Sequence, residues 1–348
     1  MDPLTQGVLG STAAQLFAKP AQKVAALVLG FLSGMAADMD VLIRSSNDPL
    51  FSLEYHRHFT HALVFIPFGA LLCAVVFYYV MRLFKKRLKQ GSPVVELSFF
   101  TVYVFCFAGY ATHALLDACT TYGTQLLWPF SDARIAWNNV SVIDPLFTIP
   151  LLFLLLVSVF KRSTLVACLA TFYALGYLFL GVIQNQRAEE VAYQLAQSRG
   201  HTPINLGTKP SFANILVWKS VYEFDGHYYV DAIRVAGSTT VYRGSSTPKL
   251  DTSKHFAWLD ANSQQAKDIE RFRWFSNDHL GIDPDNAYRI IDIRYSLIPN
   301  RFGGMWGITL DPNAKPSAHI KWTNSRPQGD ELSNQTARLW SMILGTYQ

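Results

Sequence analysis

Charge is what this sequence has least of. Asp, Glu, Lys and Arg make up 16% of its 348 residues, against roughly 25% in ordinary soluble proteins, while half of the residues are hydrophobic. The deficit belongs to the first half; the last 160 or so residues have an everyday composition. Cysteine is scarce too. Cys73, Cys106, Cys119 and Cys168 all fall in the apolar half with no CxxC spacing, which excludes a disulfide framework or a zinc knuckle. Three of them sit inside apolar runs and read as small buried hydrophobes. No basic residue precedes the first apolar stretch, since Lys19 comes after it, and this argues against a cleavable signal peptide. A net charge of +5 is modest, and a nucleic-acid partner is not expected.

What the first half does contain is apolar length. A helix needs about 20 residues to cross a hydrocarbon core, and five segments reach or approach that, at roughly 24–43, 62–84, 97–118, 142–160 and 164–184. The stretch "LTQGVLGSTAAQLF" at 4–17 is short for a span, but its Gly7, Gly10, Ser11, Ala13 and Ala14 suit close helix packing. It reads as a packed or re-entrant helix. The basic residues fall in three groups: "RLFKKRLK" at 82–89, "KR" at 161–162, and Lys19 with Lys23. The positive-inside rule puts all three in the cytoplasm. Residues 44–61, 119–141 and everything after 185 then lie on the outer side.

From about 186 the pattern changes. "LVWKSVYEFDGHYYVDAIRV" at 216–235 alternates around Asp225-Gly226, a strong hairpin signal. "NSQQAKDIERFRWFSND" at 262–278 has helical periodicity with Asn262 as the expected N-cap. "YRIIDIRYSLI", "MWGITLD" and "AHIKWTN" read as strands. The expected architecture is a polytopic α-helical membrane domain over 1–185, followed by a small extracytoplasmic α+β domain over 186–348. His227, His255, His279 and His319 are scattered singly in that second domain and suggest no site.

The topology gathers chemistry at one membrane depth. Asp38 and Asp40 lie toward the outer end of the first long segment, and His56 and His61, in "EYHRHFTH", stand before the second. His113 and Asp117, in "HALLD", close the third, and Asp144 opens the fourth. None of these residues enters the assignment of orientation. His113 and Asp117, four apart, share a helix face. Asp38 and Asp40, two apart, do so only if the helix ends there. The six, Asp38, Asp40, His56, His61, His113 and Asp117, form a nitrogen/oxygen donor set of the kind that holds one or two zinc, manganese or iron ions, zinc being the first expectation. Such an ion with an open position acidifies a water toward neutral pH. Arg57 could hold an anionic group beside the metal or meet lipid headgroups. Glu54 could act as a base or a supporting partner, and His58 as a supporting partner or a solvated side chain. Trp128 and Phe130 read as interfacial anchors. Intramembrane Asp and His also serve as proton relays, so an ion- or proton-handling transporter is the alternative. A third reading is a protein that binds metal only to fasten its helices.

"MDPLTQGVLGS", "DMD", "HRHFTH", "HALLDACTTYGTQLLWPFSD" and "IDPLFTIPLL" together resemble the YdjM-like, LexA-regulated, membrane-bound metal-dependent hydrolases of the bacterial inner membrane. The resemblance covers roughly residues 1–185. It implies that Asp38, Asp40, His56, His61, His113 and Asp117 form a metal site, with Arg57 and Thr60 in their motif places and His58 where a small or apolar residue would be as natural. An ester or phosphoester of an amphiphilic, lipid-like molecule is the expected substrate, with membrane lipids as surroundings. The tail at 186–348 resembles that of the longer members and says nothing of substrate.

Overall fold

The computed structural model describes residues 1–87 and 96–347. Leu88 and Lys89, the end of the basic tract at 82–89, lie outside them. The helices are α1 (Pro3–Phe17), α2 (Lys23–Met35), α3 (Phe51–Tyr55), α4 (Ile66–Arg87), α5 (Phe99–Ala118), α6 (Pro145–Phe160) and α7 (Thr164–Ser198). The short α8 (Thr252–His255), α9 (Gln264–Phe275) and α10 (Gly329–Leu344) follow among the strands. The chain divides into two units: residues 1–43 with 55–181, and residues 44–54 with 182–348.

Among the described residues, four helical stretches are long and apolar enough to cross a membrane: 20–42, 63–84, 99–118 and 164–198, the last running from the first unit into the second. At 16 residues α6 is shorter, about 24 Å at 1.5 Å per residue, and α1 has 15. The helix starts are chemically marked. Asp2 caps α1, accepting from the Thr5 amide at 3.0 Å, ahead of Pro3. Ser98 caps α5, accepting from the Thr101 amide at 3.2 Å. Leu165, Leu169, Phe172, Leu175 and Phe179 form an exposed apolar stripe along α7, a surface suited to lipid rather than water. Of the cysteines inside apolar runs, Cys106 is buried as expected, Cys73 is half-buried and Cys168 is exposed on that same helix; Cys119, outside those runs, is buried too.

The short α1 is a packing element. It lies against α2 and α5 through glycines that let backbones meet. A Cβ on Gly30 would come within 2.7 Å of the Gly10 carbonyl oxygen and 2.8 Å of Ser11 Cα. One on Gly109 would lie 2.5 Å from the Gly30 carbonyl oxygen. Since Asp38 and Asp40 follow directly on α2, and His113 and Asp117 lie in the last turns of α5, this junction sets the spacing of the site.

The second unit carries two antiparallel sheets. The first, in spatial order β1 (Ile204–Pro210), β2 (Val217–Phe224), β3 (His227–Val235) and β4 (Thr239–Tyr242), also pairs β5 (Ser246–Pro248) with β3. The second runs β6 (Leu280–Asp283), β7 (Asn286–Asp292), β8 (Trp306–Thr309) and β9 (Lys321–Asn324). The expected hairpin is present, with Asp225 and Gly226 at φ 47° and 66° closing the Phe224–His227 pair, as a two-residue loop with two left-handed residues requires. The expected helix is α9, but its cap is Ser263 and not Asn262. The Ser263 side chain accepts from the Ala266 amide at 3.2 Å, because the helix begins one residue later than its periodicity suggests. Strand β1 and the amphipathic α10, which ends on left-handed Gly345, are additions to the sequence reading.

Lys219 is buried in this unit at 3% exposure, its ammonium donating to Ser296 Oγ at 2.8 Å and to the Arg301 carbonyl at 3.0 Å. Burial pushes its pKa down to about 7. The unfolded chain therefore binds more protons than the folded unit between about pH 7 and 10.5, and stability rises with pH across that window. Lys219→Met should flatten this rise in thermal melts of the full chain, and a slope equal to wild type would count against it. In the first unit, Gly30→Ala should destabilise by about 1–3 kcal/mol through overpacking, read as a lowered melting temperature in detergent.

Candidate metal centre

The expected ligands sit where helices end. α2 stops at Met35 and tightens into a 3-10 turn over Ala36–Leu42, the break that the spacing of Asp38 and Asp40 demands. His113 and Asp117 share the last turns of α5 and are fully buried. "HRHFTH" is wound into turns. Arg57 takes φ 62°, uncommon for a residue with a Cβ, and is held there by its neighbours. Its amide donates to Asp40 Oδ2 at 2.8 Å, and its carbonyl accepts from the Gln125 amide at 3.0 Å. The Tyr110 hydroxyl donates to the Thr60 carbonyl at 2.9 Å, fastening the turn to α5.

Two histidines are set by the partners of their far nitrogens. His113 Nδ1 lies 2.6 Å from the Gly34 carbonyl oxygen. A carbonyl only accepts, so Nδ1 carries a proton, and in the neutral ring Nε2 is then bare. Thr60 Oγ1 donates to Asp40 Oδ2 at 3.2 Å and faces His61 Nδ1 at 3.0 Å. With its hydrogen donated to the carboxylate, the hydroxyl oxygen accepts from Nδ1–H of His61, which in the neutral ring leaves Nε2 without a proton. The two Nε2 atoms face each other at 3.0 Å. Between two neutral rings in these tautomers, a proton or a metal ion has to stand between the two lone pairs.

Carboxylates complete the cage. Asp38 Oδ1 lies 3.6 Å from His61 Nε2 and 3.4 Å from His113 Nε2. Asp117 Oδ2 lies 3.3 and 3.7 Å from the same atoms. A tetrahedron with zinc–ligand distances near 2.0–2.1 Å has edges of about 3.3–3.4 Å, and the five separations here, 3.0 to 3.7 Å, bracket that value. Asp38, His61, His113 and Asp117 thus form a group that could hold a metal ion, three of them buried, while Asp38, Asp40 and His56 form a second. Asp38 belongs to both. In the second group His56 Nδ1 sits 2.8 Å from Asp40 Oδ1, and the His56 side chain keeps 24% exposure.

The surroundings are cationic on one side. Arg57, 4% exposed, points Nε at Asp117 Oδ2 at 2.9 Å and donates through Nη1 to Thr120 Oγ1 at 3.0 Å. Its guanidinium also lies 4.8 Å from the centroid of the Tyr122 ring. The anion that Arg57 meets in this structure is the Asp117 carboxylate. Asp117 Oδ1 accepts from Gln6 Nε2 at 2.8 Å and meets the amino group of Met1. Glu54, expected near the metal, joins neither group. Both its oxygens accept from Arg271, at 2.6 and 2.9 Å, within the second unit. Asp144 is a helix cap, accepting from the Leu146 and Phe147 amides and from the Tyr177 hydroxyl. His58 packs against Trp128 with ring centroids 5.3 Å apart. Burial and the nearby Arg134 charge push its imidazole below the ordinary range. Phe130 is exposed.

Gln6, Gly34, Thr120 and Tyr110 escaped the sequence reading. Gln6 alone left a trace, as the one amide side chain amid the apolar residues opening α1. The others act through a backbone carbonyl or through hydroxyls, which no motif marks.

The fold and the site define a polytopic membrane protein whose helix ends assemble an Asp/His group able to take a metal. The model of the YdjM inner membrane protein family matches residues 1–188, more than half of the chain, and the chain belongs to that family; it is a multi-pass inner membrane protein. It is also similar to the uncharacterized protein YfhP of Bacillus subtilis (strain 168), 22% identical over 126 residues, which is 36% of this chain and 34% of that one. The chain thus spans about a third of the length of that relative. No solved structure matches it.

The cap and the ligands separate by experiment. Asp144→Ala should lower stability by about 1 kcal/mol and leave metal content at the wild-type value. His113→Ala should empty the buried group, which Asp144→Ala leaves filled. Elemental mass spectrometry and thermal melts of the same preparations check both.

Proposed function

We propose that this protein is a membrane-bound, metal-dependent hydrolase with two adjoining metal positions that share Asp38. The observation that carries the reading is the pair of imidazole Nε2 atoms 3.0 Å apart between two carboxylates. In the buried position Asp38, His61, His113 and Asp117 would bind. In the more open one Asp38, Asp40 and His56 would bind, three protein groups where a catalytic position needs room for water. A divalent ion, zinc before manganese or iron, supplies Lewis acidity and a water of lowered pKa.

The chain's own residues do the positioning. The Gly34 carbonyl and Thr60 hold the Nδ1 protons of His113 and His61, so that both rings present Nε2. Asp40 orients His56 from Nδ1 and fixes the Arg57 backbone. Arg57 balances the charge of Asp117, which would otherwise be a costly buried anion. The three groups of basic residues support placing the site at the outer membrane interface, with the C-terminal unit extracytoplasmic. That depth suits an ester or phosphoester at the polar junction of an amphiphile, because such a molecule brings the bond to the metal while its chains stay in lipid. Proton or metal transport remains the competing class.

The test is metal content of detergent-purified protein, prepared without chelators, beside the His56→Ala/His113→Ala double variant. Wild type should hold about two zinc, manganese or iron ions per chain, as two-metal hydrolase sites do, and the double variant none. The same preparations should cleave phosphoester or ester lipids in vesicles, with loss on chelation and return on adding the metal. Equal emptiness of both proteins would remove the hydrolase reading and leave ion or proton handling in its place.

A further inference from the structure

Residues 44–54 stand between Asp40 and His56 in the chain, yet they belong to the second unit. Their attachment there is specific. Arg271, on α9, donates from Nη1 and Nη2 to Asp48 Oδ1 and Oδ2 at 3.0 and 2.8 Å. It also donates from Nε and Nη2 to Glu54 Oε1 and Oε2 at 2.6 and 2.9 Å. A guanidinium is the one side chain whose planar fork can grip two carboxylates at once in this way. A third carboxylate, Asp268, ties the arginine into the unit. Its Oδ1 accepts from Arg271 Nη1 at 2.9 Å, and its Oδ2 accepts from the Ile320 amide at 3.2 Å and lies 2.8 Å from His319 Nδ1. The segment is apolar on its inner side, with Leu50 and Leu53 buried at 0% and 8% exposure. The Leu50 amide donates to Asp48 Oδ1 at 3.0 Å.

We propose that Arg271 is a positioning residue for the metal centre, acting through this segment on the position formed by Asp38, Asp40 and His56. The inference rests on the two-position reading above. Its mechanical basis is chain length. Glu54 is two residues from His56, at most about 7 Å of extended chain, so a displacement of the clamp by a few ångströms reaches the imidazole. Asp40 lies four residues before the other end of the segment. His61, His113 and Asp117 hang on helices and turns of the first unit and carry no such tether. Arg271 should therefore govern one metal position and spare the other.

The experiment strips the full-length protein of metal, reloads it with zinc, and measures both ions bound per chain and the affinity of each step. Wild type should take two. Arg271→Ala should weaken the second step by roughly 10- to 100-fold, the usual effect of losing a group that orients a ligand, while the first step stays within about threefold. Asp48→Asn/Glu54→Gln breaks the same clamp from the segment side and leaves α9 untouched, so it decides the matter should Arg271→Ala misfold. Arg271→Lys, a point charge without the fork, should fall between. Two unchanged steps in both the arginine and the segment variants would overturn the inference and leave the two-position reading intact. Equal weakening of both steps by the segment variant would also overturn it. Wild type that binds a single zinc would bring down the two-position reading itself and, with it, the position on which Arg271 acts.

Discussion

The Gly34 carbonyl accepts a hydrogen bond from one imidazole, and the first unit is arranged around that contact. By holding Nδ1 of His113 it determines which nitrogen faces the other ligands, and every later feature of the site follows from that choice. The carbonyl is free to accept because α2 ends one residue later and tightens into a 3-10 turn. It is near enough because Gly10, Gly30 and Gly109 allow three helices to cross with backbone against backbone. Helix breakage, small-residue packing and histidine tautomer are thus one constraint seen at three scales.

Much of this was written in residue types. The Asp, His and Asp/His sets at three apolar segment ends pointed to one depth, and the structure gathers Asp38, His61, His113 and Asp117 into one group and Asp38, Asp40 and His56 into another. The hairpin at Asp225-Gly226 was legible for a similar reason, since only a few residues tolerate two successive left-handed conformations. What could not be read was anything held by a backbone group or by a distant charge. The Arg57 pairing with Asp117 spans 60 residues and depends on a left-handed backbone at Arg57 that its side chain does not advertise. The N-cap of α9 slipped by one residue because Asn262 and Ser263 are equally good caps by type.

The segment at 44–54 shows the same limit from another side. Its Asp48 and Glu54 look like the solvated charges of an outer loop, and composition gives no reason to assign them elsewhere. Only the arginine that holds them, more than two hundred residues away in the chain, reveals that they belong to the second unit. Local patterning reports the local environment well, but it cannot report a partner brought in by topology.

The four residues of the buried group come from the end of α2, the turn before α4 and the end of α5. Synthesis delivers these pieces one after another, with a long apolar helix between the second and the third. No pair of early segments offers a full set of ligands, so the cage does not exist until α5 has entered the bilayer and met α2. A metal taken up by this group would therefore be bound only after these helices have assembled, and its binding would report their correct packing.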